Sequence, residues 1–236
     1  MVENREPQFC LDSVSNSLNY DAPPFREYMS IPYWKFWFSL ALVSVALGSL
    51  VVSSATGSFT FRDDFNYPST NKLVAAGWTL CGGGPSTNYR VHDSVLTLQN
   101  NGVTGAGVCW SNIAAGVTSW TGTARGKWAG GNYGSVEQIM QTTSHVYRWD
   151  ADGYYSQFIL LRDDVIVFRA NGYTPLLDSW HVLSMSMVQG NISLYFDGTL
   201  IGHFSELGPI VPLSTIALIA GWESVTSWDY VTASSL

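Results

Sequence analysis

In its second half the chain is cut at short intervals by residue pairs that reverse a backbone sharply: Asp152-Gly153, Asp163-Asp164, Asn171-Gly172, Gly190-Asn191 and Asp197-Gly198. Such pairs tolerate the positive φ of a tight hairpin turn, Asp-Gly above all, because both central residues of a type I′ turn need it. Between the turns lie short runs rich in Val, Ile, Phe, Tyr and Met: Val165 to Ala170, His181 to Val188, Ile192 to Asp197 and Thr215 to Ala220. In the third of these, alternation puts Ile192, Leu194 and Phe196 on one face and Ser193 and Tyr195 on the other. A turn every 8 to 20 residues or so is the rhythm of a sandwich or barrel. No segment after residue 56 shows a helical period, and the Gly-rich stretch Gly82-Gly83-Gly84-Pro85 reads as loop. About 180 residues supply one sandwich core and not two, and no internal repeat divides them. The prediction is an all-β, antiparallel two-sheet sandwich occupying residues 56–236 as one domain.

What precedes that body is of another kind. Phe36 to Val52, FWFSLALVSVALGSLVV, is seventeen residues without a charge. At 1.5 Å per residue a helix of that length spans about 25 Å, and Tyr33 and Trp34 extend it towards the thickness of a bilayer. Its only polar side chains are Ser39, Ser44 and Ser49, so it lacks the polar stripe of a core helix. The small residues Ser53-Ser54-Ala55 also suit a signal-peptide cleavage site, which would release the body as a secreted protein cut near Ala55. A secretory n-region is short and basic, however. Residues 1–35 here are long and polar, carrying Glu3, Glu6, Asp12, Asp21 and Glu27 as well as Pro23-Pro24 and Pro32. The expectation is a cytoplasmic tail over 1–35, a transmembrane anchor over 36–55 and the sandwich outside. Lys35 and Arg26 on the N-terminal side outweigh Arg62, which Asp63 and Asp64 follow at once, so the N-terminus is expected inside.

Charged residues make up only 12% of the chain, against the usual quarter, and the aromatic share is 14%. Neutral hydrogen-bonding side chains keep such a chain soluble, a composition common outside cells. The net charge of −7, with eleven Lys and Arg and no basic cluster, excludes nucleic-acid partners. Cys81 and Cys109 form a natural disulfide pair in an oxidising exterior, the alternative being two buried thiols. Asn191-Ile192-Ser193 is a glycosylation sequon, although Gly190-Asn191 equally makes a hairpin turn.

Several words of the body are familiar in their order. Phe61-Arg62-Asp63-Asp64-Phe65, followed by Gly77-Trp78, resembles the opening strand of concanavalin A-like lectin/glucanase domains, a superfamily of laminin G-like jelly rolls. Val91-His92-Asp93-Ser94-Val95-Leu96-Thr97-Leu98 resembles their second strand and turn. Ser179-Trp180-His181-Val182-Leu183, continuing to Gly190-Asn191-Ile192-Ser193-Leu194-Tyr195-Phe196-Asp197-Gly198, is similar to their hairpin W-H-x-L … G-x-I-x-x-Y-x-D-G. Trp228-Asp229-Tyr230-Val231 looks like the closing strand that pairs with the opening one. The resemblance covers about residues 57–236. It implies two antiparallel sheets, with ligands lying across one sheet or at the loops on its rim.

Glycoside hydrolases of this superfamily carry a strand E-x-D-x-E, whose carboxylates share a face because the spacing is even. The corresponding segment here departs from it. Glu137 stands for the first carboxylate, Ile139 replaces the aspartate and Gln141 the second glutamate. Glu137 is therefore a weak catalytic candidate, and a polar residue on a solvated sheet face is the plainer reading. The lyase-type set His145, Tyr147, Arg148 and Gln138 has no spacing signature.

A binding role leads. Sugar rings stack on aromatic side chains with polar groups nearby for the hydroxyls, and residues 120–155 interleave aromatics with polar groups. The expected ligand residues are Trp149, as an exposed platform beside a turn, with Tyr147, Arg148, Gln141, Glu137 and Tyr133. Trp128 is expected in the core if Arg125 and Lys127 face solvent, and Trp180 is expected in the core. No cofactor is expected, although Asp63, Asp64 and Asp229 are candidate calcium ligands where the first and last strands meet, and Asp150-Ala151-Asp152-Gly153 has the look of half a calcium loop. The sequence thus points to a surface-displayed, lectin-like module that binds carbohydrate or another surface ligand without catalysis. An envelope subunit, adhesin or virion-surface interaction protein is the alternative, and a divergent glycoside hydrolase or polysaccharide lyase the next. Oligomeric state is not legible.

Overall fold

The computed structural model describes residues 58–82, 87–101, 106–132, 134–221 and 223–236. The expected tail and transmembrane segment, and Tyr133, lie outside the described residues. Among those described, no helix is long and apolar enough to cross a membrane.

Fifteen strands and one short helix, α1 (Thr70–Ala75), make up the described body. One sheet holds, in spatial order, β13 (Thr199–Ser205), β12 (Asn191–Phe196), β11 (His181–Val188), β6 (Trp120–Gly131), β15 (Ser224–Ser235), β4 (Val95–Asn100) and β3 (Thr87–His92), with β1 (Thr60–Asp63) also paired to β15. The other has seven strands: β10 (Val165–Asn171), β9 (Gln157–Arg162), β8 (Val146–Asp152), β7 (Val136–Thr142), β14 (Leu213–Ala220), β5 (Ala106–Trp110) and β2 (Trp78–Gly82). Every pairing is antiparallel. The opening strand does return to the closing one, with Thr60 opposite Ser234 and Asp63 opposite Val231.

The core lies between the sheets and follows the period of two. Leu96 and Leu98 of β4, Leu183, Met185 and Met187 of β11, and Ile192 and Leu194 of β12 are buried at alternate positions. Four tryptophans, Trp78, Trp120, Trp149 and Trp228, are fully buried, and each brings roughly 4–6 kcal/mol of transfer free energy. Space for such rings is made opposite small residues. A Cβ on Gly126 would lie 2.6 Å from the Trp228 ring, and one on Gly122 2.5 Å from Met140 Sδ.

Hairpins are closed by two devices. At Asp93-Ser94, Asp163-Asp164, Gln189-Gly190 and Asp197-Gly198 both central residues have positive φ, the type I′ signature. The third of these corrects the expected turn at Gly190-Asn191. The turn is one residue earlier, and Asn191 is already the first residue of β12, exposed, its side-chain oxygen accepting from Ser205. The second device is a His–Asp clasp used twice. Asp197 accepts from His181 Nδ1 at 2.8 Å and from the Val182 N–H at 2.8 Å, while Asp163 accepts from His145 Nδ1 at 2.7 Å and from the Val146 N–H at 2.9 Å. Each aspartate thereby ties the end of one strand to the start of its partner. This accounts for the pairing of His and Asp in the W-H-x-L … D-G words.

Two further expectations are corrected. Helix α1 was not legible, because its six residues bury only Leu73 and cannot display a period. Trp180 is not core. It is half-buried on the outer face of the larger sheet, with the Arg125 and Lys127 cations 5.2 and 5.1 Å from its ring. Trp128 does pack against the core.

Candidate functional site

The residues that the sequence singles out lie mostly on β7 and β8, the middle of the seven-stranded sheet, and alternation sorts them into two sets. Val136, Gln138, Met140 and Thr142 of β7, with Tyr147, Trp149 and Ala151 of β8, face the core and are buried. Glu137, Ile139 and Gln141, with Val146, Arg148, Asp150 and Asp152, face away from it.

Trp149 therefore does not form an exposed platform. Its ring is fully buried and stacked on Phe158, and its Nε1 donates to the Tyr195 carbonyl. Position beside a turn suggested exposure, but the strand parity that sends Arg148 and Asp150 outward sends Trp149 inward. Tyr147 is likewise in the core, its hydroxyl donating to Glu206 at 2.8 Å; burial, then that bond, raises its pKa. The loose set of His145, Tyr147, Arg148 and Gln138 is split between the two faces for the same reason.

On the outer face a groove of about 250 Å³ is lined by Ile139 and Gln141 of β7, Val146 and Arg148 of β8, Ala217 and Ile219 of β14, and the two cysteines. Cys81 and Cys109 are bonded, with Cα atoms 5.7 Å apart, and form one wall. The floor is apolar. Gln141 and Arg148 are the polar side chains among the residues lining it.

Beside the groove sits a buried carboxylate pair. Glu137 and Asp150 are directly opposite across the β7–β8 ladder, and each is about 5% exposed (5% and 6%). Side chains of such pairs have Cβ atoms about 4.5–5.5 Å apart. Glu137 is thus not on a solvated face, which corrects the plainer reading made of it above. Its Oε1 occupies the space over Gly221, where a Cβ would lie 2.3 Å away. Oε2 forms a long ion pair with Arg148 Nε at 3.7 Å. Asp150 Oδ1 is buried and has no hydrogen-bond partner. Burial drives the Glu137 carboxyl above the ordinary range against the attraction of Arg148, with Asp152 adding to the rise. Asp150 is driven well above it by burial, then by Glu137 and Asp152. Asp152, at the end of β8, accepts from the Tyr154 and Tyr155 N–H groups and from Gln157 Nε2. It caps a loop that exposes the two tyrosines, packed edge to face at 4.6 Å.

Glu137 thus has a second carboxylate beside it, from the neighbouring strand and not from its own. The signal was present in the sequence, as Asp150, but only the β7–β8 register makes it Glu137's partner.

The three calcium candidates are each engaged elsewhere. Asp63 accepts from the Phe65 N–H, the Tyr67 hydroxyl and Trp78 Nε1; Asp64 pairs with Arg62, and Asp229 with Arg125. Among the described residues no group of three or more His, Cys, Asp or Glu is placed to hold a metal ion.

No protein-family model matches the chain, and no curated protein matches it. Solved structures do. The carbohydrate binding module CBM66 from Bacillus subtilis is 12% identical, covers 67% of this chain and 96% of its own, and superposes with a TM-score of 0.53. The endo-β-1,3-glucanase from Pyrococcus furiosus is 12% identical over 74% of this chain and 93% of its own, with a TM-score of 0.55. A Bacillus subtilis protein of unknown function with a galectin-like fold is 9% identical over 74% and 94%, with a TM-score of 0.56. At such identities the likeness is one of fold alone, a two-sheet antiparallel β-sandwich, and it is consistent with the jelly roll that the sequence words suggested.

Proposed function

We propose that this chain is a carbohydrate-binding module, held at the outer surface of a membrane by the Phe36–Val52 run, with its ligand on the outer face of the seven-stranded sheet. The observation that carries the reading is the groove. An apolar floor of Ile139, Val146, Ala217 and Ile219 offers a surface for the C–H face of a sugar, and Gln141 and Arg148 stand beside it for the hydroxyls. That a carbohydrate binding module and a glucanase share the fold supports it further.

The test is titration of full-length protein in neutral detergent with a panel of oligosaccharides, alongside Ile139→Trp, which fills the groove from an outward position. Binding by the parent and its loss in the variant at unchanged melting temperature are expected. Stable capture of a protein partner with no glycan binding would favour the interaction-subunit reading instead.

The Glu137–Asp150 pair favours one second reading, a divergent glycoside hydrolase. Retaining hydrolysis needs carboxyl groups about 5–5.5 Å apart, one protonated and one ionised. Polysaccharide turnover abolished by both Glu137→Gln and Asp150→Asn would establish it.

A further inference from the structure

The groove is more specific than a neutral sugar requires. Of the residues lining it, Arg148 alone carries a charge, and the charge is positive on a chain whose net charge is −7. Among the described residues its guanidinium makes no hydrogen bond. Nε is buried without one, and the ion pair to Glu137 at 3.7 Å is too long to be one. The side chain is about a third exposed (32%) and lines the groove. An arginine fork beside an apolar floor, with no hydrogen bond among the described residues, is suited to receive an anion. It presents several N–H groups in one plane, matched to the two oxygens of a carboxylate.

The charges behind it leave that role open. Facing Arg148 on the same side of the sheet are Glu137 from β7, Asp150 and Asp152 from β8 itself, the neutral Gln157, Ile159 and Leu161 from β9, and Ile219 from β14. Two of the three carboxyls are buried against each other, which favours retention of a proton between them. Asp152 is engaged by Gln157 and the Tyr154 and Tyr155 amides. Glu137 is the competitor that remains, and it reaches Arg148 only at 3.7 Å.

We infer that the groove takes an acidic sugar, a ring bearing a carboxylate that Arg148 receives while Gln141 binds a hydroxyl and Ile139, Val146 and Ile219 support the ring. The inference rests on the carbohydrate-binding reading and names its ligand class. A volume of about 250 Å³ falls below the ~300–1,000 Å³ of pockets that take drug-sized molecules, which suits a single ring.

The test compares a trimer of galacturonic acid with its methyl ester, the same rings with the charge removed, on full-length protein in neutral detergent. The acid is expected to bind about tenfold or more tightly than the ester. Its affinity should fall as salt rises from about 50 to 500 mM, while that of the ester should not. Arg148→Gln should erase the preference for the acid. Glu137→Gln, which removes the competing carboxylate and leaves Arg148 in place, should tighten acid binding severalfold. Equal binding of acid and ester by the parent protein, with both lost in Ile139→Trp, would overturn the acidic-sugar assignment and leave the groove reading standing. Binding of neither, nor of any neutral oligosaccharide, would remove the carbohydrate reading and this inference with it.

Discussion

At the scale of the residue, the informative side chains are the ones whose burial conflicts with their chemistry. Asp150 is 6% exposed with an unpartnered Oδ1, opposite a second buried carboxyl. Because its folded-state pKa is raised, the native protein holds a proton that the unfolded chain releases. Stability therefore falls as pH rises from the ordinary carboxylate range to the raised value, and stays low above it. Asp150→Asn, which cannot ionise, should raise the melting temperature at pH 7.5 by about 2–4 °C for each kcal/mol recovered, and should bring no gain at pH 4. A thermal melt at the two values checks it. Gly221 is a second such residue. A methyl group there would lie against Glu137 Oε1, so Gly221→Ala should cost about 1–3 kcal/mol in urea unfolding. Combined with Glu137→Ala, which vacates the space, the cost should largely disappear. Trp149 carries the opposite lesson. Its identity suggested a ligand platform, but a ring 0% exposed has a packing role, and no residue-by-residue reading separates the two until the strand's parity is known.

Among the elements, the hairpins were the most legible. The run His181 to Val188 matches β11 end for end, and Asp163-Asp164 and Asp197-Gly198 make the turns their composition demands. The β7–β8 hairpin is less legible in one respect: which of its faces meets the core. Both of its faces mix polar and apolar residues, with Gln138 and Thr142 inward and Ile139 and Val146 outward, so the pattern by itself does not orient it. The His–Asp clasps make a prediction here. Asp163 sits below the ordinary carboxylate range, held there chiefly by the Val146 N–H against desolvation, with His145 adding to the fall. A depressed carboxylate contributes stability above its unfolded pKa and loses it as pH falls through the folded value. The parent should accordingly lose stability on acidification through that range. Asp163→Asn should lack this part of the acid limb, read as unfolding free energy against pH.

On the scale of the molecule, the disulfide and the apolar run do separate things. The Cys81–Cys109 link closes 28 residues and ties β2 to β5, the end of the sheet that walls the groove. A Cys81→Ser, Cys109→Ser protein should lose about 3–4 kcal/mol on the chain-entropy account, measured by urea unfolding under non-reducing conditions. Anchoring is tested independently. If residues 36–52 span a bilayer, the full-length chain should stay with membranes through alkaline carbonate extraction. Protease added from outside should shorten it by the sandwich and leave the tail. Recovery of the body in the soluble fraction, beginning near Ala55, would establish cleavage instead.

The sequence by itself determined the architecture, because two features that specify it are local. Turn pairs that need positive φ mark where strands end, and the period of two inside the strands supplies two-sided sheets with a shared core. It also determined the disulfide partners, there being only two cysteines in the body. The tertiary structure alone decided the site. Which side of β8 faces the core, and which residue of β8 stands opposite Glu137, depend on sheet register, and one residue of register moves every side chain to the other face. That parity buries Trp149, turns Arg148 into the groove and sets Asp150 against Glu137, and no local pattern along the chain carries it.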